Sequence, residues 1–441
     1  MTVLRARAAR ALSLTVVLLG GCGLFDEAEV KLEGARTPVR AAVPERVIAP
    51  ERAGEIASLG APLANADWPQ PGVVPTRAPG HLAGPASLRE AWRADVGAGS
   101  GGSARITATP VVAEGRVYTL DAESGVAAVD AASGRVLWRI KITPEGEDDD
   151  DGFGGGLAYM DGRLFATSGF GEVLAISPGD GAILWRQNLG APLRAAPAVA
   201  AGRVIVVTRA NQGFGLDAAT GGILWRALGA PGGAGVLGGA SPAVSGELAV
   251  LPFTSGELLA VRASNGRRIW SDALTGGGRG SASIDVTDIS GDPVIAGQAV
   301  FAANDSGQLV AIDGRSGARG WLRQLGAASP VWPIGPTLFV VANDARVMRL
   351  AAATGETMWS APLPRYTDPE DRTGVIGYRG PVVAGGVVYL TSTEDGLLAF
   401  DAQNGAALPG AEISGGAGVA PVVAGGTVYV LSDDGVLHAF R

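Results

Sequence analysis

The sequence predicts an all-β protein, an eight-bladed β-propeller of four-stranded antiparallel blades, and three observations carry that prediction. A unit ending in Gly-x-x-x-Trp recurs at the spacing of a propeller blade. Each unit is preceded by short apolar runs separated by glycine turns. The last unit stops one strand short, and a matching strand stands ahead of the first.

The clearest copies of the unit run from Ala128 to Trp138, Ala175 to Trp185 and Gly215 to Trp225. Its glycine falls at 134, 181, 221, 266, 317, 355 and 405, spaced by 47, 40, 45, 51, 38 and 50 residues. In the first six copies a tryptophan stands four residues later: Trp138, Trp185, Trp225, Trp270, Trp321 and Trp359. In the seventh, Pro409 takes that place. An indole repeated at one strand position is expected to wedge between neighbouring blades and bury its large apolar area there. A cofactor would need one or two special residues rather than a copy per blade.

Upstream of each glycine lie the other strands of the blade, as in Pro381–Thr391, the turn Glu394-Asp395-Gly396, and Leu397–Asp401. Asp395-Gly396, Asp434-Gly435, Ser255-Gly256 and Ser306-Gly307 suit type I′ hairpins, whose twist matches that of paired strands. The terminal unit, Pro421 to Arg441, ends before its own Gly-x-x-x-Trp strand. Leu88-Arg89-Glu90-Ala91-Trp92-Arg93 has the spacing of the missing piece. Pairing the first strand with the last blade supplies the eighth blade and latches the ring, so 88–441 is expected to form one domain.

Composition agrees. Of the 441 residues, 47% are hydrophobic and 18% charged, enough apolar surface for a large core. The 68 glycines show no triplet period, which excludes collagen and implies many tight turns. The formal net charge of −8 offers no basic field for phosphate backbones, so nucleic acid is excluded as a partner class.

The N-terminus reads as an address. Arg5, Arg7 and Arg10 precede an apolar run from Ala11 to Leu19 that is too short to span a bilayer, as in a signal peptide over 1–21. The run ends in Leu19-Gly20-Gly21-Cys22, which resembles a bacterial lipobox. Cys22 is the chain's single cysteine, so the expectation is lipidation at Cys22 and no disulfide. Gly23 follows rather than an aspartate, which favours the periplasmic face of the outer membrane, with the lipid as the sole membrane contact. The stretch 22–87 is rich in Ala, Pro and charge and reads as a tether, within which Asp67-Trp68-Pro69-Gln70-Pro71-Gly72 is an island expected to pack against the body.

With Trp ending the outer strand and Asp-x-x-(Ser/Thr/Asn)-Gly in the turn before it, the repeat is similar to that of the pyrroloquinoline-quinone-enzyme-like propellers. Lipobox, tether and eight such blades together resemble the BamB family, propeller lipoproteins of the outer-membrane β-barrel assembly machinery. The resemblance covers about 88–441. It implies a non-catalytic scaffold that binds the POTRA domains of the barrel-forming subunit and helps hold unfolded outer-membrane proteins. In that family a Leu-x-Leu-Arg loop and a Ser-Asp-x-Asp loop one blade later mediate docking. Here they fall near Ala234, Val236 and Leu237, and at Asp288. Only Asp288 keeps its chemistry, and loss of the arginine removes a multi-donor anchor.

The inventory of reactive groups is thin. The only histidines are His81, ahead of the repeats, and His438, on a terminal strand, so no multi-histidine zinc or base cluster assembles. The vicinal cysteine pair of many quinone-dependent alcohol dehydrogenases has no counterpart. No cofactor and no metal are therefore expected. The run Glu145 to Asp151 is read as a solvated loop, because adjacent carboxylates repel and lack EF-hand spacing. The alternative reading is a quinone-dependent periplasmic dehydrogenase, or a propeller that binds a small ligand on its axis.

Overall fold

The computed structural model describes residues 54, 58–102, 104–232, 239–274 and 288–441. Signal peptide, Cys22, Ala234, Val236 and Leu237 lie outside the described residues. Eight four-stranded antiparallel sheets follow one another along the chain. Blades 1 to 7 span 111–141, 155–188, 198–228, 243–273, 294–323, 332–362 and 378–411; blade 8 combines 422–440 with Glu90–Asp95. A small hairpin, Tyr366–Asp368 with Thr373–Val375, stands between blades 6 and 7.

The first strand of most blades is only three residues long, as in Val111–Ala113, and lies at one edge of its sheet; the tryptophan strand lies at the other. The middle strands are apolar on both faces, as in Leu164–Ala166 and Val126–Val129, because neighbouring blades cover both sides. Packing is therefore between sheets rather than around one centre.

The turn before each tryptophan strand is built by its own residues. Asp130 accepts from the Ser133 amide at 2.9 Å and the Ser133 hydroxyl at 2.6 Å; Asp217 with Thr220 and Asp313 with Ser316 repeat the pattern. These bonds favour the charged form and hold the three carboxyls below the usual carboxylate range. One strand residue is then skipped in the register: Leu137, Leu184, Leu224, Ile269, Gly320 and Met358 sit in bulges just before their tryptophans. A bulge re-aims the next side chain and also blunts an exposed strand edge against pairing with other chains.

That re-aiming sends each indole onto the following blade. Trp92 meets Gly134, Trp138 meets Gly181, Trp185 meets Gly221, Trp225 meets Gly266, Trp270 meets Gly317, Trp321 meets Gly355 and Trp359 meets Gly405. The indole N–H donates to a carbonyl of the same turn, from Trp225 Nε1 to Ala263 O at 2.9 Å and from Trp270 Nε1 to Gly314 O at 2.8 Å. The other five repeat the bond to the oxygens of Ala131, Pro178, Ala218, Ala352 and Ala402. A side chain on the turn glycine would stand in the indole: at Gly221 a Cβ would lie 2.6 Å from the Trp185 ring.

Glu90–Asp95 pairs antiparallel with Val436–Phe440, placing Trp92 opposite Ala439 and Arg93 opposite His438. The bond from Arg441 N to Arg89 O at 2.9 Å extends the ladder, and His438 Nδ1 lies 2.8 Å from Glu90 Oε1. This closure explains Pro409. In blade 8 the third and fourth strands come from opposite ends of the chain, so no turn joins them, and an indole from blade 7 would have no turn to dock on.

Candidate functional site

Residues 63–83 form an ordered segment that runs once around the propeller axis and bonds to each blade in turn. Asn65 O accepts from Gly425 N in blade 8 at 2.8 Å; Trp68 exchanges two backbone bonds with Val112 in blade 1; Pro69 O accepts from Tyr159 N in blade 2. The Gln70 side chain brackets Val199 in blade 3, taking its N–H at 3.1 Å and donating to its carbonyl at 3.3 Å. Pro75 O and Thr76 O take the amides of Val244 and Ile295 in blades 4 and 5 at 2.8 and 2.9 Å. Trp332 Nε1 of blade 6 donates to Gly80 O at 2.9 Å, and Leu82 pairs with Ala384 of blade 7.

The composition of this stretch is what lets it follow a circle. Prolines 69, 71, 75 and 79 forbid a helix, and Val73 and Arg77 take left-handed backbone angles of 67° and 60° that turn the chain. The island from Asp67 to Gly72 is the part of the tether span that contacts blades 1 to 3. His81 fixes the far leg: its Nδ1 lies 3.0 Å from Gly60 O, and its Nε2 accepts from Gly386 N at 2.9 Å. Each histidine thus sits at a closure, His81 holding the segment and His438 the ring.

One ion pair anchors the segment. Arg77, 1% exposed, donates through Nε and Nη2 to Pro242 O and through Nη1 to Pro71 O, with Asp292 Oδ2 at 3.3 Å from Nε. Asp292 also accepts from Ser241 N at 2.7 Å. Burial pulls the guanidinium below its ordinary range and pushes the carboxyl above its own; in each the partner's charge opposes the shift without cancelling it.

The segment floors an axial cavity of about 670 Å³. Segment bonds fall late on the inner strands, at Val112, Val199, Val244, Ile295 and Ala384, whereas the cavity is lined by residues ahead of those strands, such as Thr107, Ala196, Ser241, Pro330 and Pro421. The floor is Trp68 stacked on Trp332 at 5.9 Å, with Pro71 and Gly72, and the mouth opens on the face of the interblade loops. Arg105, Arg194 and Arg379 line it with Asp305 and Asp433. Both carboxylates are engaged by hydroxyls or amides: Asp305 accepts from Ser290 and Asn343, Asp433 from Ser100. Burial lowers the Arg379 guanidinium from its usual range, and those two carboxylates counter it.

Asp288 is 2% exposed, and Arg209 Nη1 lies 3.7 Å from its Oδ2, so its carboxylate faces the blade 3 turn. Described residues of the acidic run are largely exposed, with Asp149 held by Thr143 Oγ1 and by Lys141 Nζ at 3.0 Å. Among the described residues no group of three or more His, Cys, Asp or Glu could hold a metal ion.

The family model described as outer membrane protein assembly factor BamB matches residues 122–361 and 368–441. The chain belongs to the BamB family. Within it, the outer membrane protein assembly factor BamB of Burkholderia pseudomallei is 30% identical over 338 residues, which cover 75% of this chain and 84% of that protein. The crystal structure of BamB from Moraxella catarrhalis superposes with a TM-score of 0.66 at 19% identity, covering 80% of this chain and all of that one. A europium-containing methanol dehydrogenase aligns with a TM-score of 0.63 at 15% identity over 86% of this chain and 91% of that one, a likeness of fold alone. Neither Arg77 with its circling segment nor Arg194 stands out in the BamB repeat pattern, because both lie outside the Gly-x-x-x-Trp unit. The only sequence signal for the segment is the proline-spaced run from Trp68 to Pro79.

Proposed function

We propose that this chain is a non-catalytic periplasmic scaffold of the outer-membrane β-barrel assembly complex, lipidated at Cys22 and held at the periplasmic face of the outer membrane. The observation that carries the reading is the BamB family match, which starts within blade 1 and runs into blade 8. Its partners are the POTRA domains of the barrel-forming subunit and, transiently, unfolded outer-membrane proteins. We assign the partner surface to the loop that carries Ala234, Val236 and Leu237, which lie outside the described residues, and to the loop of Asp288, whose own buried carboxylate supports that loop from within. A scaffold reading agrees with the fate of the two histidines, each engaged by a structural contact at a closure rather than poised as a base.

Affinity purification of the native lipoprotein from membranes, followed by mass spectrometry, tests the reading. Co-purification of the barrel-forming subunit, lost from the outer membrane fraction in Cys22→Ser, is expected. Recovery of the lipoprotein without any assembly subunit would defeat it. The dehydrogenase alternative is tested by reconstitution with pyrroloquinoline quinone and Ca²⁺, where stoichiometric binding with dye-linked oxidation would replace the scaffold.

A further inference from the structure

We propose that the axial funnel takes a carboxylate borne on an apolar body, with Arg194 as the residue that receives it. The inference is independent of the scaffold role.

Arg194 sits in the loop between blades 2 and 3, on the wall of the funnel. Its guanidinium carbon lies 4.3 Å from the centroid of the Phe153 ring, so the plane of the group is fixed by stacking. Its Nε is buried and has no hydrogen-bond partner. A buried donor left unmade costs more than the bond itself contributes, so this Nε calls for an acceptor, and here it borders an open cavity that can admit one. The charge balance around it points to an anion. Arg209 is its nearest charged neighbour by effect, a like charge that joins burial in lowering the Arg194 group, and Arg209 is matched to Asp288.

The surfaces beside Arg194 and at the floor define the body of the ligand. The wall next to Arg194 is small and apolar, with Ala195, Ala196 and Gly239, and the stacked Trp68 and Trp332 close the far end. The planar, multi-donor fork of arginine matches a carboxylate better than a point cation does. The segment over residues 63–83 blocks the opposite end, so entry is from the interblade-loop face. A free aliphatic acid and the C-terminal carboxylate of a peptide share this chemistry.

The test is calorimetric titration of the detergent-solubilised full chain with four probes. These are 4-methylpentanoate, its amide, the peptide N-acetyl-Ala-Ala-Leu as free acid, and the same peptide as amide. One acid per chain is expected, with each amide weaker by about tenfold or more. Arg194→Met, which keeps the side chain's bulk over Phe153, should lose the acid by a similar factor and leave the amide unchanged. Binding of the small acid assigns the site to free acids; binding of only the peptide acid assigns it to chain ends. Equal binding of acid and amide, no binding of any probe, or unchanged acid binding in Arg194→Met would overturn the proposal. A second readout separates a ligand site from a structural arginine. In Arg194→Met the half-buried guanidinium has no hydrogen bond to lose, so the melting temperature of the empty protein should hold or rise, and a clear fall would also overturn the proposal.

Discussion

Cutting one partner of the Arg77–Asp292 pair is the sharpest test of how the circling segment is held. In Arg77→Met the buried carboxylate of Asp292 keeps only its bonds from the Ser241 amide and hydroxyl, while the carbonyls of Pro242 and Pro71 lose their donors. Removing one member of a buried pair costs about 3–5 kcal/mol, because the survivor is left charged and desolvated. Spread over the unfolding entropy of a body this size, about 2 cal/mol/K per residue, the loss lowers the melting temperature by roughly 4–6 °C. The sign of the pH dependence follows from Asp292. Its folded pKa is raised above the unfolded value, so its contribution is present at low pH and is lost as pH rises through the folded pKa. Without Arg77 to oppose the shift, the deficit of Arg77→Met should be largest near pH 8 and shrink towards pH 4. Asp292→Asn instead strands a guanidinium that stays charged throughout, and its deficit should be flat over the same range. The double variant Arg77→Met with Asp292→Asn should recover most of the loss. Thermal melts at several pH values give the energies, and hydrogen exchange at the Val244 and Ile295 amides, which bond to Pro75 O and Thr76 O, localises the release. Wild-type stability in either single variant, or no recovery in the double, would refute the argument.

Three further outcomes are expected. Gly202→Ala and Gly221→Ala both force a left-handed alanine, φ being 72° and 75°, but only the second drives a Cβ into an indole. Chemical denaturation should show about 1 kcal/mol lost at 202 and about 1–3 kcal/mol more at 221, and equal losses would remove the indole from the explanation. Trp225→Ala should lose about 3–5 kcal/mol, since the ring is 6% exposed and its N–H is spent on Ala263 O. Arg349 is fully buried over the Phe339 ring, and burial pulls its guanidinium down to about 10. Arg349→Met should be neutral or stabilising at pH 7, and the difference should fade as pH rises past 10 and the wild-type charge is relieved; a clear destabilisation at pH 7 would contradict this.

The sequence by itself determined the blade. Period, turn chemistry and the short apolar runs are local: Asp130 to Ser133, the turn glycine and the tryptophan four residues on are all set within eleven residues, so they can be read from spacing. The ring closure was also legible, because a missing strand at one end and a surplus strand at the other leave a single way to complete the last sheet. Even Pro409 follows, once a closed ring deprives blade 7 of a joined turn to dock on. Tertiary structure alone decided what the tryptophans touch, since Trp185 and Gly221 meet across a blade boundary that no periodicity encodes. It alone decided that the contact expected of the island from Asp67 to Gly72 extends over residues 63–83 and circles the axis. Their order comes from one bond or a few to each of eight blades, contacts separated by up to 360 positions in the chain, as between Asn65 and Gly425. No local propensity marks such a segment, because each contact is weak and only a completed ring presents all eight inner edges at once.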